Sequence, residues 1–322
     1  NFEWDGTSNV LMEISYTNEN ASEERSSKGS DATDGVGFSN SGDNGHLIVA
    51  GEGYVTLPNN GLDQVSNEVT ISLWSYGDES VMPVNSTIFE GVDNNNNRQV
   101  NVHLPWGNGQ VYWDCGYSGS YDRINKTANP EDFRGKWNHW AFTKNSTTGE
   151  MKIYLNGTLW HSGTGKFRPI NISRMNLGSD ANGNNKYFGK IDEFRVWNKG
   201  LNQQHIRQMM NQEIMDLSGN VGGEVIPTKI FGVDSNQDGT EEDLLTWSDL
   251  EGYYRMNTAC GYLTAYKGVA GRLRNINSSQ NEWAPIPYTT TNNGDWDAPN
   301  TWTRGNYWSI PGYRRSKNEL SE

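Results

Sequence analysis

The chain has 322 residues, of which 34% are hydrophobic and 11% aromatic, with 13 Trp and 15 Tyr. A core built from few but large apolar side chains suits a β-sheet protein better than a helical bundle, and the 36 Gly supply turns. The net charge of −13 argues against a nucleic-acid partner, because no basic stripe is left to neutralise phosphates. No apolar run approaches the ~20 residues that cross a bilayer, so we expect no membrane span.

Short aromatic and β-branched runs, separated by Gly- and Asn-rich turns, recur from about Glu52 to Trp197. Each run predicts a strand, and Asn156–Gly157 predicts a two-residue hairpin turn. Many short strands at regular spacing are typical of a sandwich or jelly roll. In chain order the predicted strands are GYVTLP, EVTISLWSY, STIFEGV, RQVNVHLPW, QVYWDCG, WNHWAFTK, MKIYL, TLWH and GKIDEFRVW.

The segment LNQQHIRQMMNQEIM, Leu201 to Met215, predicts a single helix. Ile206, Met209 and Met210 form an apolar stripe at nearly helical spacing, and Gly219 offers a stop. We expect this helix to cap the sandwich.

The character of the sequence changes after Gly219. A linker and an acidic loop are followed by Trp-, Gly-, Asn- and Pro-rich fragments with few regular apolar runs. We therefore expect two units, a jelly roll over residues 1–218 and a small, β-rich C-terminal unit over 219–322 that packs against the first.

Two stretches resemble parts of laminin G-like and pentraxin-like domains. WNHWAFTKNSTTGEMKIYLNGTLWHSGTG is similar to their central strand pair, and YFGKIDEFRVWNKGLNQQHI to their closing strand and the helix after it. With GYVTLP and VTISLWSY upstream, the likeness covers roughly residues 35–215. It implies an all-β fold, a concanavalin A-like jelly roll of two antiparallel sheets with a short C-terminal helix. That fold carries lectins, adhesive modules and enzymes alike.

The segments HLPWGNGQVYWDCG and YDRIN resemble a subgroup found in large secreted surface proteins of Bacteroidetes-type bacteria. LEGYYRMN, Leu250 to Asn257, resembles the strand that opens many domains of this kind. The resemblance implies an extracellular or cell-surface location and neighbouring domains of the parent chain as partners.

Aromatic and hydrogen-bonding side chains gather between Trp106 and Arg123. On a strand over 110–116, alternation places Tyr112 and Asp114 on one face, away from the core-facing Cys115. With the loop that follows they would line a concave face, where rings stack on sugars and polar groups bind hydroxyls. The alternative is an aromatic-rich loop held by an internal ion pair, Asp122–Arg123 or Asp114–Arg123. The candidate ligand-binding residues are Trp106, Tyr112, Asp114, Tyr117, Tyr121, Asp122 and Arg123.

Catalytic patterns are missing from the sequence. Glycoside hydrolases of this fold use carboxylates at Glu-x-Asp-x-x-Glu spacing, which does not occur here. Asp192 and Glu193 are neighbours on a strand, so we expect them to point to opposite faces. No His pair has zinc-site spacing, and whether Cys115 and Cys260 pair stays open.

The segment DSNQDG predicts a calcium site, because oxygen ligands alternate along it before a Gly turn. A full loop of this type has Glu at its twelfth position, where this chain has Leu245, so nearby carboxylates would have to complete the shell. The alternative is a solvated acidic turn. The candidate Ca²⁺ ligands are Asp234, Asn236, Asp238, Glu242 and Asp243.

Taken together, the residues and the resemblance predict a calcium-stabilised, non-catalytic module that binds a glycan, extracellular matrix or surface polysaccharide. Two other functions stay open: a carbohydrate-active enzyme or its accessory domain, and a purely structural spacer in a long adhesin.

Overall fold

A computed structural model describes residues 46–57, 62, 64–224, 227–232, 242–256, 262–263 and 265–274. Its first nine strands are β1 Leu47–Ala50, β2 Tyr54–Leu57, β3 Glu68–Gly77, β4 Phe89–Val92, β5 Arg98–His103, β6 Gln110–Tyr117, β7 Tyr121–Thr127, β8 Asn138–Asn145 and β9 Glu150–Leu155. The others are β10 Thr158–Gly163, β11 Arg174–Leu177, β12 Phe188–Trp197, β13 Ile214–Leu217, β14 Asn220–Gly223, β15 Leu250–Tyr254, β16 Tyr262–Leu263 and β17 Gly271–Arg274. The helices are α1 Pro130–Phe133, α2 Gln203–Met209 and a 3₁₀ turn at Trp247–Asp249.

The strands form two antiparallel sheets, which confirms the predicted all-β sandwich. The back sheet has the order β1-β12-β3-β8-β9-β10. One edge of β12 is shared by two strands: β1 pairs with its residues 188–191 and β15 with its residues 194–197. The front sheet has the order β16-β17-β2-β11-β4-β5-β6-β7. Strands β13 and β14 make a separate hairpin. None of the described helices is long and apolar enough to span a membrane.

The core lies between the two sheets and is built around aromatic rings. Phe89 of the front sheet meets Phe142 and Phe194 of the back sheet edge to face, with ring centroids 5.8 and 6.0 Å apart. Trp113 is fully buried in the same cluster. These few large side chains fill the sandwich, as the composition indicates.

The predicted Asn156–Gly157 turn is confirmed. Both residues have positive φ, 49° and 73°, as a type I′ turn between β9 and β10 requires.

The helix at residues 201–215 is shorter than predicted, because α2 stops at Met209 and Ile214 already begins β13. Its last turn is capped from the back sheet: Arg195 Nη1 donates to the carbonyl oxygen of Met209 and Trp74 Nε1 to that of Met210. These bonds satisfy carbonyls that a longer helix would have used internally. The expected packing is present, since the apolar side of α2 lies on the outer face of the back sheet.

The described strands after β14 extend the two sheets of the sandwich. Strand β15, which contains most of LEGYYRMN, pairs with β12, and β17 pairs with β2. The predicted boundary at 218/219 thus falls inside the β13–β14 hairpin, where Ser218 and Gly219 form the turn.

Candidate functional site

The outer face of the front sheet carries a row of polar side chains. Residues directly paired across antiparallel strands point to the same face, so the strand register places the members of the row side by side. All but the last are buried. This polar row runs across β11, β4, β5, β6 and β7 and consists of Asn176, Glu90, Asn101, Asp114 and Arg123.

Two arginines hold the carboxylates of the polar row. Arg98 donates from Nε to Glu90 Oε1 at 2.6 Å and from Nη1 to Asp114 Oδ2 at 2.7 Å. Arg123 contacts Asp114 at two points, with Nε 2.5 Å from Oδ1 and Nη2 2.7 Å from Oδ2. Charge-assisted bonds of this kind offset the cost of burying the Asp114 carboxylate. The same hydrogen bonds raise the pKa of Arg123.

Both guanidinium groups are stacked on tyrosine rings. The Arg123 guanidinium carbon lies 4.7 Å from the ring centroid of Tyr112 and 5.1 Å from that of Tyr121, and the Arg98 carbon lies 5.3 Å from Tyr121. The Arg98 and Arg123 side chains remain 25% and 36% exposed. We call Arg98, Tyr112, Tyr121 and Arg123 the arginine–tyrosine platform. It presents flat rings and cationic edges to solvent above a buried carboxylate.

A histidine and a tryptophan flank this platform. His103 pairs with Tyr112 across the strands, and its Nδ1 lies 2.9 Å from the carbonyl oxygen of Ser86. The ring centroid of Trp106 lies 4.3 Å from that of His103. Burial lowers the pKa of His103 to about 4, so the imidazole is neutral at pH 7. Half-buried Trp106 therefore extends the aromatic surface beside Tyr112 without adding charge.

Two loops of the same design lie next to strands of the polar row, one between β4 and β5 and the other after β11. In each, an aspartate Oδ1, from Asp93 or Asp180, accepts hydrogen bonds from the backbone N–H groups two and four residues later. The second loop folds over the row, where Ala181 N–H donates to Glu90 Oε2 at 2.7 Å. These aspartates shape their own loops.

A laminin G-type family model, described as the concanavalin A-like lectin/glucanases superfamily, matches residues 49–207. This segment is a concanavalin A-like domain. The laminin G-like domain contains β2 to β12, and with them the whole polar row. No curated protein sequence matches the chain.

Several solved structures are similar to the chain at low sequence identity. One is a protein from Bacteroides ovatus described as a candidate carbohydrate-binding protein, 15% identical, TM-score 0.44, covering 73% of this chain and 60% of that one. Another, domain 4 of an extracellular GH43 arabinanase from Geobacillus stearothermophilus solved with arabinotriose, is 23% identical, TM-score 0.41, covering 50% and 74%. A heptameric SAP-like pentraxin from Limulus polyphemus is 13% identical, TM-score 0.40, covering 71% and 95%. The chain spans less than two thirds of the first of these proteins.

Most of the predicted ligand-binding residues of the laminin G-like domain lie on this outer face. Tyr121 and Arg123 belong to strand β7, although the sequence pattern placed them in a loop. Tyr117 pairs with Tyr121 because a β-bulge at Gly116, where φ is 76°, inserts one extra residue into β6. The structure thus brings together Trp106, Tyr112, Asp114, Tyr117, Tyr121 and Arg123.

Asp122 points away from the platform. It pairs with Cys115, on the core-facing side of the sheet, and its Oδ2 lies 2.8 Å from the buried Lys144 Nζ of the back sheet. Arg168 also pairs with its carboxylate. Of the two ion pairs that the alternative of an internally paired loop allows, Asp114–Arg123 is present and Asp122–Arg123 is not, because successive strand residues face opposite sides.

The sequence pattern missed Glu90, Asn101 and Arg98. Simple alternation from Val100 places Arg98 in the core, but a β-bulge opposite Gly91 and Val92 adds one residue to β5 and turns Arg98 outward. Asn101 is fully buried between the two carboxylates, and neither of its amide atoms has a hydrogen-bond partner among the described residues. A buried amide of this kind calls for a water or ligand partner.

A β-bulge in β12 overturns the expected orientation of Asp192 and Glu193. Glu193 has φ of 51°, and one residue is added to β12 between Asp192 and Arg195. Both carboxylates therefore lie on the outer face of the back sheet, buried, where Glu193 pairs with Arg195 and accepts a bond from Tyr253 Oη at 2.7 Å. Burial first, and then the charge of Glu193, raises the pKa of Asp192.

The predicted calcium loop lies mostly outside the described residues, which include neither Asp234, Asn236 nor Asp238. Of its described members, Asp243 pairs with Lys199 Nζ at 2.6 Å. The backbone carbonyl of Glu242 accepts a hydrogen bond from Gly232. Among the described side chains no three acidic, His or Cys residues are grouped as a metal site. Calcium binding at this loop stays a prediction.

The sulfur of Cys115 faces the core, as the strand alternation predicts. Burial raises the pKa of this thiol. Cys260 lies outside the described residues, so the pairing of the two cysteines stays open.

Proposed function

We propose that the laminin G-like domain binds a glycan on the outer face of its front sheet, through the arginine–tyrosine platform and Trp106. The domain would act as a non-catalytic adhesive module of an extracellular, multi-domain protein, with glycan or matrix polysaccharide as its partner.

The order of groups on the platform supports this proposal. Tyrosine rings and guanidinium groups alternate along the platform in the order Tyr112, Arg123, Tyr121 and Arg98. Each guanidinium carbon lies 4.7–5.3 Å from the centroid of a neighbouring ring. Sugar rings have apolar C–H faces that pack on aromatic rings and hydroxyls at their edges that accept N–H bonds. Asp114 holds both guanidinium groups in place from below. Such a preorganised surface loses little side-chain entropy on binding.

The contacts favour binding over hydrolysis. Glycoside hydrolysis needs a carboxylic acid that donates a proton to the leaving oxygen and a second carboxylate in the same groove. On the described part of this face, Glu90 and Asp114 already accept hydrogen bonds from Arg98 and Arg123. An enzyme or accessory domain, and a structural spacer, are the alternatives that the experiment must separate.

A glycan-array screen of the full chain, with and without EDTA, tests the proposal. We expect binding to a defined group of glycans, and Arg123→Ala to abolish it while circular dichroism and the thermal midpoint show a folded protein. Arg272→Ala is the matched control, because Arg272 is an exposed arginine of β17, at the far side of the same sheet.

Each outcome separates the alternatives. Binding lost in EDTA supports a calcium-dependent module, and binding unchanged in EDTA removes calcium from the proposal. No binding to any glycan supports a spacer and overturns the proposal. Release of reducing ends from a bound glycan would establish an enzyme instead.

A further inference from the structure

We infer that the platform selects an acidic glycan, one whose sugar carries a carboxylate or a sulfate. This inference rests on the proposed function and names the ligand class of the same site. It follows from a count of the hydrogen-bonding groups that the platform leaves unused.

Both arginines keep N–H groups that no described residue accepts. A guanidinium has five N–H donors. Arg123 uses Nε and Nη2 on Asp114 and also lies with Nη2 3.3 Å from Tyr121 Oη, which leaves Nη1 without a partner among the described residues. Arg98 uses Nε on Glu90 and Nη1 on Asp114, which leaves Nη2. At 36% and 25% exposure, the two side chains present these donors to solvent.

The platform offers no free carboxylate to match. Asp114 is fully buried, and both of its oxygens accept arginine N–H bonds. The oxygens of Glu90 accept from Arg98 and from the Ala181 N–H. A neutral sugar hydroxyl both donates and accepts, and a carboxylate is the strongest acceptor that a protein can give it. A carboxylate or sulfate only accepts, which matches a surface of unused cationic donors.

The recognition has to be short-ranged. The chain carries a net charge of −13, so its overall field does not draw an anion toward it. The planar edge of a guanidinium binds a carboxylate or sulfate by direct, charge-assisted hydrogen bonds. Arg to Lys, which keeps the charge and loses the planar edge, should therefore weaken binding.

Calorimetry with matched ligand pairs tests this inference on the full chain. One pair is oligogalacturonate and its methyl ester, and the other a sulfated galactan oligosaccharide and its desulfated form. We expect at least one acidic member to bind at least about tenfold more tightly than its neutral partner, as one lost charge-assisted hydrogen bond predicts. The arm that shows the difference identifies carboxylate or sulfate as the group.

Variants then locate the binding on the platform. Arg123→Lys should lose about tenfold in affinity for the acidic member, while the matched Arg272→Lys stays at wild-type affinity. Thermal midpoints show whether the variants are folded. The comparison of acidic with neutral ligands uses the wild-type chain, so it does not depend on the folding of any variant. Equal affinity for acidic and neutral members overturns this inference and leaves glycan binding intact. If no member binds and the glycan array is also empty, the proposed function fails with it.

Discussion

Replacing Asp114 with Asn tests whether the buried carboxylate organises the platform. Asn keeps the shape of the side chain, removes the charge, and turns an amide N–H₂ toward a guanidinium. Asp114 accepts one bond from Arg98 and two from Arg123, at 2.5–2.7 Å. A hydrogen bond to a charged group contributes about 1.5–3 kcal/mol. Because both arginines are partly exposed and regain water, we expect Asp114→Asn to lower the free energy of unfolding by about 2–4 kcal/mol.

Urea denaturation, followed by tryptophan fluorescence, measures this loss. Glu150→Gln is the matched control, since it removes the charge of a 45% exposed carboxylate that pairs with Lys152 at 3.0 Å. An exposed ion pair contributes about 0–1 kcal/mol, so the control should barely shift the midpoint. A loss below about 1 kcal/mol in Asp114→Asn, equal to the control, would refute the view that Asp114 anchors the two arginines.

Other contacts give further predictions. Lys144→Met removes one partner of the buried Asp122 carboxylate and should lower the free energy of unfolding in urea by about 3 kcal/mol. A loss below about 1 kcal/mol contradicts this. Burial opposes the charged form of Asp122, but hydrogen bonds from Lys144 and Arg168 outweigh it and lower the pKa of this carboxyl. The free energy of unfolding should therefore fall as the pH drops below about 4, and it should fall less in Asp122→Asn. His103 should titrate near pH 4 in NMR spectra, with stability falling from pH 6.5 downward; a midpoint near 6.5 contradicts its burial. Gly116→Ala should destabilise strongly, because its φ is 76° and a Cβ would lie 2.2 Å from the Arg168 carbonyl oxygen; an unchanged thermal midpoint would show that the bulge can relax.

Regular alternation made much of the fold predictable from the sequence. The alternate residues Val111, Trp113 and Cys115 all face the core, as their spacing predicts. Asn156 and Gly157 have the two positive φ values of the hairpin turn that an Asn-Gly pair predicts. Short strands without a strong pattern were harder to find. Among the strands up to β12, the sequence did not predict β1, β7 and β11, because β7 ends in exposed polar residues and β1 and β11 have only four residues each.

The candidate site could be predicted only in part, because it is assembled across strands. Tyr112, Asp114, Tyr121 and Arg123 lie close together in the sequence and in space. Glu90 and Arg98 come from strands whose register no single-strand pattern fixes. An ion-pair network of this kind is therefore visible from the sequence only at the residues that share a hairpin.

The two β-bulges that redirected charged side chains left a signal in the sequence nevertheless. On β12, Ile191 and Phe194 both face the core, and an odd spacing between two core residues is incompatible with strict alternation. On β5, continuing the alternation of Val102 and Val100 would bury Arg98 between the sheets without a partner, at a cost of several kcal/mol. In both strands a β-bulge adds one residue, which keeps the apolar side chains in the core and turns the charged ones to the outer face. A charged residue that alternation assigns to the core therefore predicts either a bulge that turns it outward, as at Arg98, or a buried partner of opposite charge, as for Asp122 and Lys144.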